Sequence, residues 1–278
     1  MKSLSKLLIN FRAIAKVCGT RTGFAFLRAV LLNLPEIMRS KNLVAADLAM
    51  AGAQWPYSLQ GVRLELDGRF FAGAREMYCR QVYFPTLAFS LNRNAFVIDL
   101  GANAGLFSIL AALAGCKVIA VEAQAGFARE LRDLSALYGV SDRIWIENVL
   151  VGGKTGVLSE VKNLKGASHF DGIVPRQTGM EELLLKYHVD DLDFLKVDIE
   201  GSEFDLFRSC APWISKVKRL AMEVHPSYGD VQEIVGIIRS HGFSIEVRDN
   251  DLRPVDSLDR AGGYVFARRM QAERQAEN

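Results

Sequence analysis

The 278-residue chain sets 34 Lys and Arg against 32 Asp and Glu, a net charge of +2, and half of its residues are hydrophobic. That balance is ordinary for a globular protein and excludes a disordered or collagen-like chain; it also leaves no basic surplus for a nucleic-acid partner. Every apolar run is cut by Asn, Arg, Asp or Glu short of the ~18 residues a membrane span needs, so no transmembrane segment is expected.

Leu7-Leu8-Ile9 follows Lys2 and Lys6 in the manner of a signal peptide, but Asn10 and Arg12 end the run before the ~7–15 apolar residues such a signal uses. Cys18, Cys79, Cys116 and Cys210 are widely spaced and form no Cys-x-x-Cys pair, so neither a zinc site nor a disulfide framework is expected. A reducing, cytoplasmic setting fits. Leu4, Leu7, Leu8, Phe11 and Ile14 recur at helical spacing among Lys2, Lys6, Arg12 and Lys16. Such a helix can lie on a membrane surface, but cationic faces are common on soluble helices, and the expectation is a helix packed on its own domain. Phe24 to Met38 is a second apolar segment, interrupted by Pro35. Val62, Leu64 and Leu66 then alternate with polar residues and meet Asp67-Gly68, which reads as a hairpin turn. Residues 1–90 thus form a mostly helical extension with a short hairpin and no evident chemistry.

From Ala95 the rhythm is strand, loop, helix, repeated. Strands are expected at Phe96-Val97-Ile98, Val118 to Val121, Arg143 to Val151, Phe194 to Val197, Leu220 to Val224, Phe243 to Val247 and Tyr264 to Ala267. Helices are expected from Leu106 to Ala114, along Phe127, Leu131, Leu134 and Tyr138, and along Val231, Ile234, Val235 and Ile238. Thr178-x-x-Glu181 reads as a capping box opening a further helix. The alternation predicts an α/β domain over residues 91–268, with a mainly parallel sheet covered on both faces and a polar tail at 269–278.

In such a sheet ligands bind beyond the carboxyl ends of the strands. The first strand ends in Asp99-Leu100-Gly101-Ala102-Asn103-Ala104-Gly105, where Gly101 and Gly105 permit a sharp turn and a close backbone approach. A dinucleotide loop offers N–H groups to a pyrophosphate; here Asp99 would repel one, and Asn103 stands where the second glycine of Gly-x-Gly-x-x-Gly belongs. A carboxylate suits the ammonium and sulfonium of S-adenosylmethionine instead. Glu122, closing the second strand, is placed to accept hydrogen bonds from ribose hydroxyls, a role that serves NAD equally.

Val97-Ile98-Asp99-Leu100-Gly101-Ala102-Asn103-Ala104-Gly105-Leu106-Phe107, Val121-Glu122, Asp193-Phe194-Leu195-Lys196-Val197-Asp198-Ile199-Glu200-Gly201-Ser202-Glu203 and Met222-Glu223-Val224-His225, in that order, resemble the FkbM-type methyltransferases of the class I S-adenosylmethionine-dependent enzymes. The resemblance covers residues 90–268. It implies a seven-stranded Rossmann-like sheet with its last strand antiparallel, S-adenosyl-L-methionine as cofactor, and methyl transfer, typically to a hydroxyl oxygen. By position it implies that Asp99, Gly101, Asn103 and Gly105, with Ala102 in the same loop, frame the methionine portion, and that Glu122 binds the ribose. Ala123 departs from the proline common after that Glu. Gly152 to Gln177 matches nothing that assigns adenine contacts.

Catalysis needs an aligned acceptor and a group to take its proton. The candidates are Asp198 and Glu200 at the end of the fourth strand and His225 at the end of the fifth; histidine, with an unperturbed pKa near ~6.5, is the more economical base. Asp198 could instead anchor its loop, Glu200 cap the next helix, and His225 merely turn the chain before Pro226. The same three could form a carboxylate–histidine metal site, but no further ligand cluster supports one and none is expected. His169, His188 and His241 are isolated. The expected activity is O-methylation of a small molecule or a glycan. The rivals are an NAD-dependent Rossmann oxidoreductase and a catalytically inactive ligand-binding module of the same fold. No motif sets the oligomeric state.

Overall fold

A computed structural model describes residues 2–152 and 175–270. His169, most of the Gly152–Gln177 stretch and the tail beyond residue 270 lie outside the described residues. The chain forms two compact units, Met1–Pro85 and Thr86–Asn278.

The first unit carries α1 (Lys2–Cys18), α2 (Thr20–Leu32), α3 (Leu34–Ser40), α4 (Val44–Ala49), β1 (Gln54–Leu59), β2 (Val62–Asp67) and the short α5 (Phe71–Ala74). Ile14 and Val17 of α1 are buried, as are Phe26, Ala29 and Val30 of α2, so α1 packs within its own unit. Pro35 sits in the first turn of α3, where its missing N–H leaves no bond unmade. The apolar segment therefore divides into two helices at Asn33. The hairpin turn is Gln60-Gly61, not Asp67-Gly68. Gln60 and Gly61 have φ of 53° and 75°, the left-handed pair that matches the twist of a two-residue hairpin. Asp67 instead ends β2 and accepts the Arg69 N–H at 2.8 Å.

The second unit is built on a seven-stranded sheet. Its strands are β3 (Phe96–Leu100), β4 (Lys117–Val121), β5 (Ile144–Glu147), β8 (Phe194–Val197), β9 (Arg219–Val224), β10 (Phe243–Asp249) and β11 (Gly263–Arg269), and β6 (Val149–Val151) pairs separately with β7 (Arg176–Thr178). The order is β10-β11-β9-β8-β3-β4-β5, with β11 antiparallel to both neighbours and the other pairs parallel. This is the seven-stranded Rossmann-like sheet that the sequence resemblance implies. Leu195 and Val197 are fully buried, like Val97 and Ile98, as strands covered on both faces require. The chain runs from β3 outward through β4 to β5, then returns to β8 on the other side of β3. The crevice at this reversal opens at the carboxyl ends of β3, β4 and β8.

Two local expectations fail for physical reasons. Arg143 to Val151 is not one strand. It breaks at Asn148, whose side-chain amide donates to the carbonyls of Glu122 at 2.8 Å and Ala123 at 3.0 Å, and β6 leaves the main sheet. The Thr178–Glu181 capping box does not form either. Thr178 is held extended opposite Val151, its hydroxyl donates to Glu182 at 2.7 Å, and α8 (Met180–Lys186) begins beyond Gly179 without a side-chain cap. Helices α6 (Leu106–Leu113) and α7 (Ala125–Leu137) follow β3 and β4, while α9 (Glu203–Arg208) follows β8.

Candidate active site

The loop after β3 is shaped by the chain around it. A Cβ on Gly101, whose φ is 73°, would fall 1.7 Å from the carbonyl oxygen of Asp198. The glycine thus lets the ends of β3 and β8 meet. Asn103, itself left-handed at φ 50°, donates its N–H to Glu122 Oε2 at 2.7 Å, and the Gln124 N–H donates to Glu122 Oε1 at 2.7 Å. Glu122 is therefore a buried carboxylate clamped between the loop and its own strand end. Burial pushes its pKa above the usual carboxylate range, against the two N–H groups and Lys196, which favour the charged form.

Beneath this loop lies an ion pair. Lys196, inside the buried β8, places Nζ 3.0 Å from Asp99 Oδ1, 2.7 Å from the Gly101 carbonyl oxygen and 3.8 Å from Asp198 Oδ2. The contact with Asp99 Oδ1 is a charge contact rather than a directed hydrogen bond; Asp99 Oδ2 accepts from Ser108 at 2.7 Å. Burial disfavours the charge on Lys196, but Asp99, Asp198 and Glu122 outweigh it and hold its pKa above the ordinary lysine value. Asp99 is fully buried, and its charge is met by Lys196.

At the ends of β8 and β9 a histidine sits among carboxylates. Glu203, fully buried, accepts the His225 backbone N–H at 2.8 Å and faces His225 Nδ1 at 3.1 Å through Oε1, while its Oε2 accepts the Gly201 N–H at 2.8 Å. His225 Nε2 lies 3.3 Å from Glu200 Oε2. Burial lowers the imidazole pKa, but Glu203, then Glu200 and Asp198, overturn this and carry it from 6.5 to about 9. These carboxylates favour the charged form of the ring. Glu200 is bent into this position with a φ of 50°, a left-handed conformation costing a non-glycine roughly 1–2 kcal/mol.

Among the expected site residues, Gly101, Asn103, Glu122, Asp198 and Glu200 line one cleft that opens to solvent, with Val149, Leu150 and Val151 as an apolar wall. Asp99, Ala102, Gly105 and His225 are not among its lining residues; His225 joins it through Glu200. Ligand atoms of Asp198, Glu200 and His225 lie within 4.8 Å of one another, the reach of a divalent cation. The described lining carries three carboxylates and no Lys or Arg, so the cleft favours a cation and opposes a diphosphate. Lys196 and Glu203 were not expected as site residues. A lysine within the apolar run of a central strand is itself a signal, because such a charge is almost never buried unpaired. For Glu203 the sequence offers no comparable sign.

A family model for the methyltransferase FkbM domain matches residues 99–245. The chain belongs to the FkbM methyltransferase family. It is an S-adenosylmethionine-dependent methyltransferase, and the oxidoreductase reading is set aside. The acidic cleft agrees with that cofactor's two positive centres. No curated protein matches the sequence. Several solved structures are similar to part of the chain. An rRNA methylase from Streptococcus thermophilus is 12% identical, with 66% of this chain and 92% of that chain covered and a TM-score of 0.42. An S-adenosylmethionine-dependent O-methyltransferase from Thermotoga maritima is 20% identical over 66% of this chain and 62% of that one, with a TM-score of 0.40. A precorrin-6y C5,15-methyltransferase from Geobacter metallireducens is 12% identical over 69% and 87%, with a TM-score of 0.42.

Proposed function

We infer that this methyltransferase modifies a hydroxyl oxygen, on a small molecule or a glycan. The observation that carries the reading is the meeting of Asp198 and Glu200 with Glu122 on one cleft, beside a charged His225. A bound S-adenosylmethionine supplies an electrophilic methyl group on its sulfonium. Glu122, already fixed by two N–H groups, keeps lone pairs on both oxygens for ribose hydroxyls. Val149, Leu150 and Val151 offer an apolar wall to the adenine. Asp99 acts from below by holding Lys196, which ties the loops after β3 and β8 together.

Protonated His225 is unsuited to accept a proton near neutrality. Asp198 is the better acceptor for the hydroxyl proton, with Glu200 and the His225 cation orienting the substrate oxygen. A group that removes this proton contributes about 10²–10⁴-fold in rate. The reading is tested by incubating the protein with radiolabelled methyl donor and panels of alcohols, phenols and oligosaccharides, with mass spectrometry of the products. An O-methyl product supports it. A methyl group found on nitrogen or carbon overturns the oxygen assignment while leaving the family intact.

A further inference from the structure

The first unit has an outer face that its own fold leaves bare. Among the described residues, nine of the fourteen exposed large apolar side chains fall between residues 8 and 48. On α2 the buried face is Thr22, Phe26, Ala29 and Val30, yet the opposite side exposes Leu31 by 61% and Leu32 by 70%, and Phe24, whose ring edge meets Phe11 of α1, is still 61% exposed. A helix apolar on both faces calls for a second apolar environment. The pattern continues on α3, which buries none of its residues and exposes Leu34 and Met38, one turn apart. These side chains protrude from helices; none lines the open cleft bounded by Lys16, Tyr57 and Arg63.

Charge says what the second environment is. Residues 1–50 hold eight Lys and Arg against two Asp and Glu, a net +6, whereas the whole chain is +2, which leaves −4 for the remainder. The cations are interleaved with the apolar residues: Arg21, Phe24, Arg28 and Leu31 follow one another at steps of three, four and three along one exposed stripe of α2. Arg39, paired with Glu36, and Lys41 follow Met38, also exposed. Two copies meeting through this face would bring like charges together. A surface of anionic headgroups over acyl chains satisfies both the cations and the apolar side chains. No helix among the described residues is long and apolar enough to cross a bilayer, and α2, with 13 residues, spans only about 20 Å.

We propose that the outer face of α2 and α3 docks the protein on anionic membranes, with α2 lying in the plane of the interface. This surface is independent of the methyl-transfer reading and is tested without any acceptor. Full-length protein is sedimented with vesicles of one part phosphatidylglycerol to two parts phosphatidylcholine, and with phosphatidylcholine alone. The protein should pellet with the first, stay in solution with the second, and be released by high salt. Leu31→Glu with Met38→Glu, and separately Arg21→Gln with Arg28→Gln, should each weaken binding about tenfold or more. Thermal melts should stay unchanged because all four positions are exposed; Leu31→Ser is the milder variant should the double glutamate melt early. Failure of the wild type to pellet with anionic vesicles overturns the proposal, as does binding that survives both double variants. A concentration-dependent dimer abolished by Leu31→Glu, without vesicle binding, would make the face a self-association surface instead.

Discussion

Glu203 holds His225 twice through one oxygen, by the backbone N–H at 2.8 Å and by Nδ1 at 3.1 Å. The second contact fixes Nδ1 as a proton donor, so the ring presents Nε2 toward Glu200 at the edge of the cleft. The first fixes where the chain leaves β9. One buried carboxylate thus sets the position of the imidazole and contributes most to holding its charge.

That coupling makes stability depend on pH. The folded-state pKa of about 9 exceeds the ordinary 6.5, so the protonated ring stabilises the fold fully below about pH 6.5, and this contribution disappears as pH rises through about 9. Its size is on the order of 1–3 kcal/mol, since the ring retains some contact with water. Urea midpoints measured across this range should fall with rising pH in the wild type and lose most of that slope in Glu203→Gln. Nuclear magnetic resonance titration of the imidazole gives the pKa directly, and a value near 6.5 would refute the arrangement.

Glu122→Ala should weaken S-adenosylhomocysteine binding by about 1–3 kcal/mol, the range for hydrogen bonds to a charged group. The variant also frees the N–H groups of Asn103 and Gln124, so part of the loss arises from a loosened loop. Calorimetry separates the two contributions. Glu122→Gln retains one carbonyl for an N–H and should lose less affinity than alanine. An unchanged dissociation constant in both variants would remove Glu122 from the ribose.

The sheet was legible because its strands are short apolar runs at regular distances, and the motif segments fall at the carboxyl ends of β3, β4, β8 and β9. What the sequence concealed was set by contacts distant along the chain. Gly101 reads as a place for a ligand to approach, yet the nearest claimant to its missing Cβ is the carbonyl of Asp198. Asp99 reads as a carboxylate offered to a cationic ligand, and a cation does face it: Lys196, whose approach depends on the pairing of β3 with β8. His225 reads as a base at its unperturbed pKa, but only folding brings Glu200 and Glu203 around it. Asn148 breaks a strand through bonds to the end of β4, which no local pattern announces.

Lys196→Met should be costly. It keeps much of the side chain's bulk but leaves Asp99 charged and unpaired at zero exposure, a defect worth about 3–5 kcal/mol for a buried pair broken on one side. Chemical denaturation should show this loss, and Lys196→Met combined with Asp99→Asn should recover part of it. If the double variant is no more stable than the single, the Asp99–Lys196 pairing is not the source of the cost.

The assignment of Asp198 as proton acceptor predicts how turnover answers pH and chelation. With His225 acting as a cation, turnover should hold near neutrality and fall as pH passes about 9; a histidine base with that pKa would make turnover rise toward the same point. Asp198→Asn should lower turnover by about 10²–10⁴-fold, more than it lowers donor affinity, while His225→Gln should act mainly through the acceptor's KM. The same residues stand within reach of a cation, so the wild type should also be assayed after exhaustive chelation. Retained turnover is expected when Asp198 takes the proton directly. Loss of activity that only added magnesium or manganese restores would recast Asp198, Glu200 and His225 as ligands and transfer the activation of the hydroxyl to the metal.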